Sequence, residues 1–257
     1  MTALGELLPW SQSILWAGLA VFVRVSAMMA TLPVFGEQTV PLRLRLALTL
    51  AFTLVVLPAV STPPVPVGLG PALSLLGPEV IVGLFYGLML RFFIFALQIA
   101  GAIAAQSTSL SQIFGGSAGV DPQPAMGRVL LVAGLALAAL MGLHVQIAAY
   151  MINSYLTVPL GVLVDAEIVM SLGITEVSRT FALGFTLAAP FVIASLIYNV
   201  TLGVINRAMP QLMVSFIGAP AITAGGLLLL LIVAPVLLGV WLTAFANFME
   251  NPFSVIR

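Results

Sequence analysis

Four places in this chain hold side chains able to do chemistry within an otherwise apolar sequence. Arg24 and Arg91 each lie inside a long apolar run, and His144 stands beside Gln146 in another. Asn206, Arg207, Pro210 and Gln211 form a polar island within residues 202–220, LGVINRAMPQLMVSFIGAP, between two further runs. A lipid-facing arginine at mid-span costs at least about 2.5 kcal/mol, so Arg91 must face protein, water or an acidic partner. Glu79 is about three turns away on the same helix and a poor partner for it. Arg24 lies a turn or two before Pro33 and reads as a snorkelling or helix-paired charge rather than a transport site. His144 has no second ligand at metal spacing, which favours a hydrogen-bonded helix-packing role over metal binding or proton relay. In the island, Pro210 lacks a backbone donor and biases Met209 away from helix, so the chain turns there. Two readings stay open for it: a turn with one arginine at the lipid headgroups, or an assembly element whose polar groups need fixed partners.

Composition says what these side chains have to work in. Hydrophobic residues make up 61% of the 257 and charged residues only 6%, with a mean hydropathy of +1.22. A soluble domain is about 45–50% apolar and about 25% charged, so the class is a polytopic membrane protein. Eight basic and eight acidic residues balance to zero, which leaves no basic surface for nucleic acid. Every basic residue is Arg and there is no Cys. Lysine P-loops, Schiff bases, disulfides, thiolate nucleophiles and Cys-based metal sites are therefore excluded. No H-E-x-x-H or G-x-S-x-G and no paired intramembrane Asp occurs, so neither an intramembrane enzyme nor any cofactor is indicated. A secondary transporter would use broken helices and intramembrane charges, but the chain shows no internal repeat and few buried acids. The expectation is one all-α domain, residues 1–257, of about six spans of roughly 20 residues each.

The elements that position these residues follow in order. Residues 1–9 lack the basic n-region of a cleavable signal and are expected to be retained. The first run, 10–32, carries Arg24 and ends at Pro33. Pro33, Gly36 and Pro41 punctuate a connection, and Arg43 and Arg45 open the second run, 44–57, which is short for a span. Residues 58–78, rich in Pro and Gly, read as a loop. The third run, 79–105, carries Gly83 and Gly87 as a G-x-x-x-G face, which predicts close helix packing. Residues 106–128 break the apolar pattern, the fourth run is 129–150, and 153–176 reads as an acidic connection. The fifth and sixth runs carry Pro190 and Pro235, where kinks or breaks are expected. Arg43 and Arg45, Arg128, and Arg207 fall at every second connection, which assigns those connections to the cytoplasm.

Three pieces of the chain resemble one family in the same order. They are PVFGEQTVPLRLRLAL at 33–48, following the Arg24 helix, Asp121-Pro122-Gln123 after a small-residue polar loop, and N-R-x-x-P-Q-L followed by F-I-G-x-P at 206–220. Together they resemble the FliR family of flagellar type III secretion export-gate subunits, with an injectisome homologue as the nearest rival. The family loop reads close to Q-M-G-L-S-F, whereas this chain has Gln106-Ser107-Thr108-Ser109-Leu110-Ser111. The resemblance implies a non-enzymatic subunit of bent helical hairpins that joins FliP-type and FliQ-type proteins and other export-apparatus membrane proteins in a helical hetero-oligomer. It implies a place in the inner membrane at the flagellar basal body, raised toward the periplasm, and a pore for unfolded flagellar proteins. Gly36, Glu37, Pro41, Arg43, Gly218 and Pro220 are carried over as structural or assembly residues, beside Arg24, Gly83, Gly87, Arg91 and the island. Gln106, Ser109, Leu110, Ile113, Phe114, Gly115, Gly116, Asp121 and Pro122 form the expected gate loop. Its three bulky apolar residues at near-helical spacing suit either a plug or a re-entrant segment packed permanently against its own helices, and the resemblance favours the plug.

Overall fold

The computed structural model describes residues 2–37, 40–108, 125–209 and 214–252, and all the regular structure among them is helical. The helices are α1 (Thr2–Thr31), α2 (Leu42–Val56, extended by a 3-10 turn at Leu57–Ala59) and α3 (Leu69–Ser107). Then come α4 (Ala125–Leu140), α5 (Leu143–Thr157), α6 (Ala166–Ala208) and α7 (Val214–Glu250). Among the described residues five helices are long and apolar enough to cross a membrane, or six spans if α4 and α5 count as one. The protein is an all-α membrane protein.

Three stretches differ from the sequence reading, each for a local reason. Helix α3 starts at Leu69, ten residues earlier than expected, because prolines are tolerated where no helical N–H bond is lost. Gly68, at φ 96°, turns the chain in, and Pro71 falls in the first turn, whose N–H groups have no helical partner anyway. Pro78 then sits inside the helix and forfeits one backbone bond. The fourth apolar run is two helices: Gly142, at φ 78°, is left-handed and starts α5 afresh. The acidic connection shrinks to residues 158–165, since Glu167 and Glu176 lie on α6, with Glu167 in its first turn, where the helix dipole favours an acid. Pro190 lies within α6 and Pro235 within α7, and both helices continue through them.

The chain divides into two compact units, residues 1–92, 141–176 and 247–257, and residues 93–140 and 177–246. In the first unit α1 and α3 pack side by side. A Cβ on Gly83 would strike the Arg24 carbonyl and Ala27, and one on Gly87 would strike Thr31 and Met28. The G-x-x-x-G face thus does what its spacing predicted. Contacts ascend together along both helices, from Glu79 against Arg24 to Arg91, whose Nη1 lies 3.5 Å from the Thr31 carbonyl, so the two run parallel. Glu79, Gly83, Gly87 and Arg91, four residues apart, form one face of α3. Tyr150 on α5 packs edge-on against Tyr86 and donates to its carbonyl at 3.1 Å.

The second unit is built around Trp241, fully buried on α7. Its indole donates to the Phe93 carbonyl at 2.8 Å and stacks on Phe245, whose ring meets Phe93 edge-on. Backbones of α3 and α4 meet where Gly101 faces Gly127, and a Cβ on Gly101 would strike the Gly127 main chain.

Candidate functional site

In the first unit the polar residues converge on Arg24. It is fully buried, as is its partner Glu79. Arg24 Nε donates to Glu79 Oε2 at 2.7 Å and Nη2 to Oε1 at 3.0 Å, a side-on fork of two charge-assisted bonds. The remaining donors reach the end of α5: Nη1 to the carbonyls of Ser154 at 3.3 Å and Val158 at 2.9 Å, and Nη2 to that of Pro159 at 3.5 Å. A guanidinium has five N–H donors, and here each has an acceptor. The end of a helix carries the negative pole of its dipole, so the Ser154 carbonyl, which also accepts the Val158 amide at 2.9 Å, and the carbonyls just past it offer a ready cation site. Arg24 Cζ also lies 3.7 Å above the centroid of the Tyr155 ring.

Glu79 is saturated in the same way. Besides Arg24 it accepts the Gly161 amide at 2.8 Å and, at 3.4 Å, the Tyr155 hydroxyl. Gly161, at φ 76°, reverses the chain just after α5 so that its amide points back at the carboxylate. Three elements distant in sequence are thereby tied by one ion pair whose charges are both satisfied, the condition under which a buried pair holds structure. With every donor engaged, the arrangement clamps helices and offers no site for a substrate ion. Just beside it, residues 61–67 with Pro71, Ser74, Leu75 and Leu160–Gly161 enclose a surface groove of about 580 Å³. The two connections that lack arginine therefore lie at one end of this unit.

The turn between α1 and α2 is held by Arg45, not Arg43. Arg45 Nε donates to the Phe35 carbonyl at 3.2 Å and Nη2 to that of Glu37 at 2.9 Å. Gly36 is required there, because a Cβ would lie 2.7 Å from the Leu32 carbonyl and 2.8 Å from that of Ala30. Glu37 is half-buried, while Pro41 and Arg43 are exposed.

In the second unit the descent toward the expected gate loop ends in a fixed point. Gln106 is an exposed residue in the last turn of α3. Thr108 is buried; its hydroxyl donates to the Ala104 carbonyl at 2.9 Å, and its own carbonyl accepts Thr223 of α7 at 3.3 Å. A Cβ on Gly226 would collide with the Thr108 side chain, so that contact depends on glycine. Ser109, Leu110, Ile113, Phe114, Gly115, Gly116, Asp121 and Pro122 lie outside the described residues, as do Pro210 and Gln211 of the island. Asn206 and Arg207 are exposed at the end of α6. Gly218 is buried and its carbonyl accepts the Tyr198 hydroxyl at 2.7 Å, while Pro220 is an exposed residue inside α7. His144 is exposed in the first turn of α5 without a hydrogen bond among the described residues, rather than packed between helices.

The sequence reading named Arg24 but missed Glu79, Tyr155, Gly161 and Thr108. An isolated acid opening the same four-residue ladder as Gly83 and Gly87 was the one signal available for Glu79. Span-length apolar helices, closed on one another by glycine contacts and a saturated internal ion pair, define a polytopic helical membrane protein. The family model described as "Bacterial export proteins, family 1" matches residues 15–248. The flagellar biosynthetic protein FliR of Caulobacter vibrioides is 31% identical over 233 residues, which cover 90% of this chain and 93% of that protein. The FliR proteins of Escherichia coli and Bacillus subtilis are 28% and 25% identical, over 97% and 91% of this chain and 91% and 92% of theirs. The chain belongs to the bacterial export proteins, family 1, the family of the flagellar biosynthetic protein FliR.

Proposed function

We propose that this component of the flagellar export apparatus is a non-enzymatic, pore-forming subunit of the type III export gate, its residues 1–257 acting as one functional domain. In this reading it joins FliP-type and FliQ-type subunits and other export-apparatus membrane proteins at the basal body in the inner membrane. The assembly is raised toward the periplasm, and unfolded flagellar proteins pass through it. The observation that carries the reading is the breadth of the family match, residues 15–248.

The gate loop is Gln106 to Pro122, with Leu110, Ile113 and Phe114 filling the constriction and Gly115 and Gly116 letting the backbone bend aside. Two features of the second unit support it: Thr108 is pinned to α7, and Gly101 packs on Gly127, so both approaches to the loop rest on fixed backbone. Deleting Leu110–Gly116 is expected to leave the complex assembled but leaky to ions, read as membrane conductance in cells blocked for export. An assembled deletion variant as tight as the parent would rule the plug out.

Arginine placement gives the orientation: the ends bearing Arg43, Arg45, Arg128 and Arg207 are cytoplasmic, and residues 60–68 and 158–165 face the other side. The groove that brings those two connections together in the first unit supports this. Single cysteines at 43 and 207, in a chain without native Cys, are expected to label from the cytoplasm, and one at Val67, 88% exposed, from the periplasm. Periplasmic labelling at 43 and 207 would reverse the assignment. The island is an assembly element in this account, since Arg207 makes no bond among the described residues and needs a partner elsewhere. Arg207→Ala is expected to lower recovery of the complex severalfold; full recovery with normal export would reduce the island to a turn.

A further inference from the structure

We propose that the outer face of α2 binds an anionic phospholipid, with Arg43 on the headgroup phosphate and a leucine stripe along the acyl chains. Leu42, Leu46, Leu50 and Leu54 recur every fourth residue and are all at least half exposed, Leu42 at 77% and Leu54 at 70%. Thr49 and Thr53, beside this stripe, are buried instead, and their hydroxyls donate to the Arg45 and Thr49 carbonyls, both at 2.7 Å. Relative to an amphipathic helix of a soluble protein, α2 is inside out. Of the five span-length helices it is also the least covered by the rest of the chain, with 17% of its apolar window buried.

Its two arginines have separate fates. Arg45 is spent on the carbonyls of the preceding turn. Arg43 is exposed at the start of the leucine face, in line with the exposed Ala47 and Ala51, and makes no hydrogen bond or ion pair among the described residues. An unpaired guanidinium at one end of an apolar face is complementary in charge and shape to a phosphodiester above hydrocarbon. It can extend to the headgroups while its stem stays on the apolar surface. A neutral lipid would satisfy the leucines but not the net charge. One arginine near an anionic surface corresponds to about a fivefold preference. The inference stands on α2 and is independent of the pore and its gate loop.

The natural absence of cysteine allows a direct test. Ala47→Cys, labelled with an environment-sensitive bimane and isolated with the partners it retains, is placed in nanodiscs containing phosphatidylglycerol or phosphatidylcholine brominated in the acyl chains. Brominated phosphatidylglycerol is expected to quench at about a fifth of the mole fraction that brominated phosphatidylcholine requires. Arg43→Gln should bring the two to parity and Arg43→Lys should keep the preference. Equal quenching with Arg43 intact, or a preference that survives Arg43→Gln, would overturn the headgroup assignment. No quenching by either lipid would mean that a protein subunit covers this face, and would overturn the proposal outright.

Discussion

Arg24→Ala is expected to be the most damaging single substitution in the first unit, seen as loss of the chain from the membrane fraction rather than as an altered export rate. The side chain is fully buried, and its removal leaves Glu79 as a buried carboxylate without its counter-charge and takes a donor from the Val158 carbonyl just past α5. Breaking a buried pair from one side costs about 3–5 kcal/mol, comparable to a large fraction of a domain's total stability. Glu79→Ala should do similar harm from the other side, since it leaves a guanidinium without its counter-charge and the Gly161 amide without an acceptor. Replacing both by apolar residues of like volume, Arg24→Met with Glu79→Leu, should recover part of the loss, because no orphaned charge remains. Accumulation and thermal aggregation of each variant in detergent give the comparison. Wild-type behaviour of Arg24→Ala would show that the pair does not hold the unit together.

The second large effect is expected at Gly83 and Gly87. A side chain at either is directed into the backbone of α1: at Gly83 toward the Arg24 carbonyl and Ala27, at Gly87 toward Thr31 and Met28. These obstacles are main chain for the most part and cannot rotate away. Overpacking a tight contact costs about 1–3 kcal/mol, and Gly83→Val adds its bulk one turn from the Arg24–Glu79 pair, which it would pull apart. The combined Gly83→Val and Gly87→Val variant should therefore be worse than either alone but depart from the sum of its parts, the positions being neighbours on one face. Gly173→Ala is the control: nothing lies within 4 Å of where its Cβ would be, and alanine is the better helix former there. Normal accumulation of Gly83→Val would mean that α1 and α3 do not touch along this face.

What could be read from the sequence, and what could not, divides along physical lines. Apolarity and length fix the helices because they are one-dimensional properties, and G-x-x-x-G at 83 and 87 is legible because its meaning is local. Arg24 read as a snorkelling or helix-paired charge, yet its partner stands 55 residues away, and no spacing rule connects that acid to an arginine two helices earlier. Proline and glycine near 68–78 and the acids at 167 and 176 looked like loop. They prove compatible with helix: Pro71 stands where no backbone bond is forfeited, and Glu167 where a helix start favours an acid. The break at Gly142 left no trace in hydropathy, since both sides are apolar; only its positive φ marks it. Arg43 and Arg45 looked equivalent, and only folding separates the one that closes the turn from the one left outside.

The central claim, that this chain is one subunit of a multi-protein export gate, is tested most directly by affinity isolation of the tagged chain from membranes of cells assembling flagella, with subunit masses read by native mass spectrometry. The account predicts a single stable complex in which this chain is joined in fixed ratio by two other hydrophobic proteins, of the FliP and FliQ types. Recovery of the chain alone, or as a homodimer that binds a small solute, would contradict it.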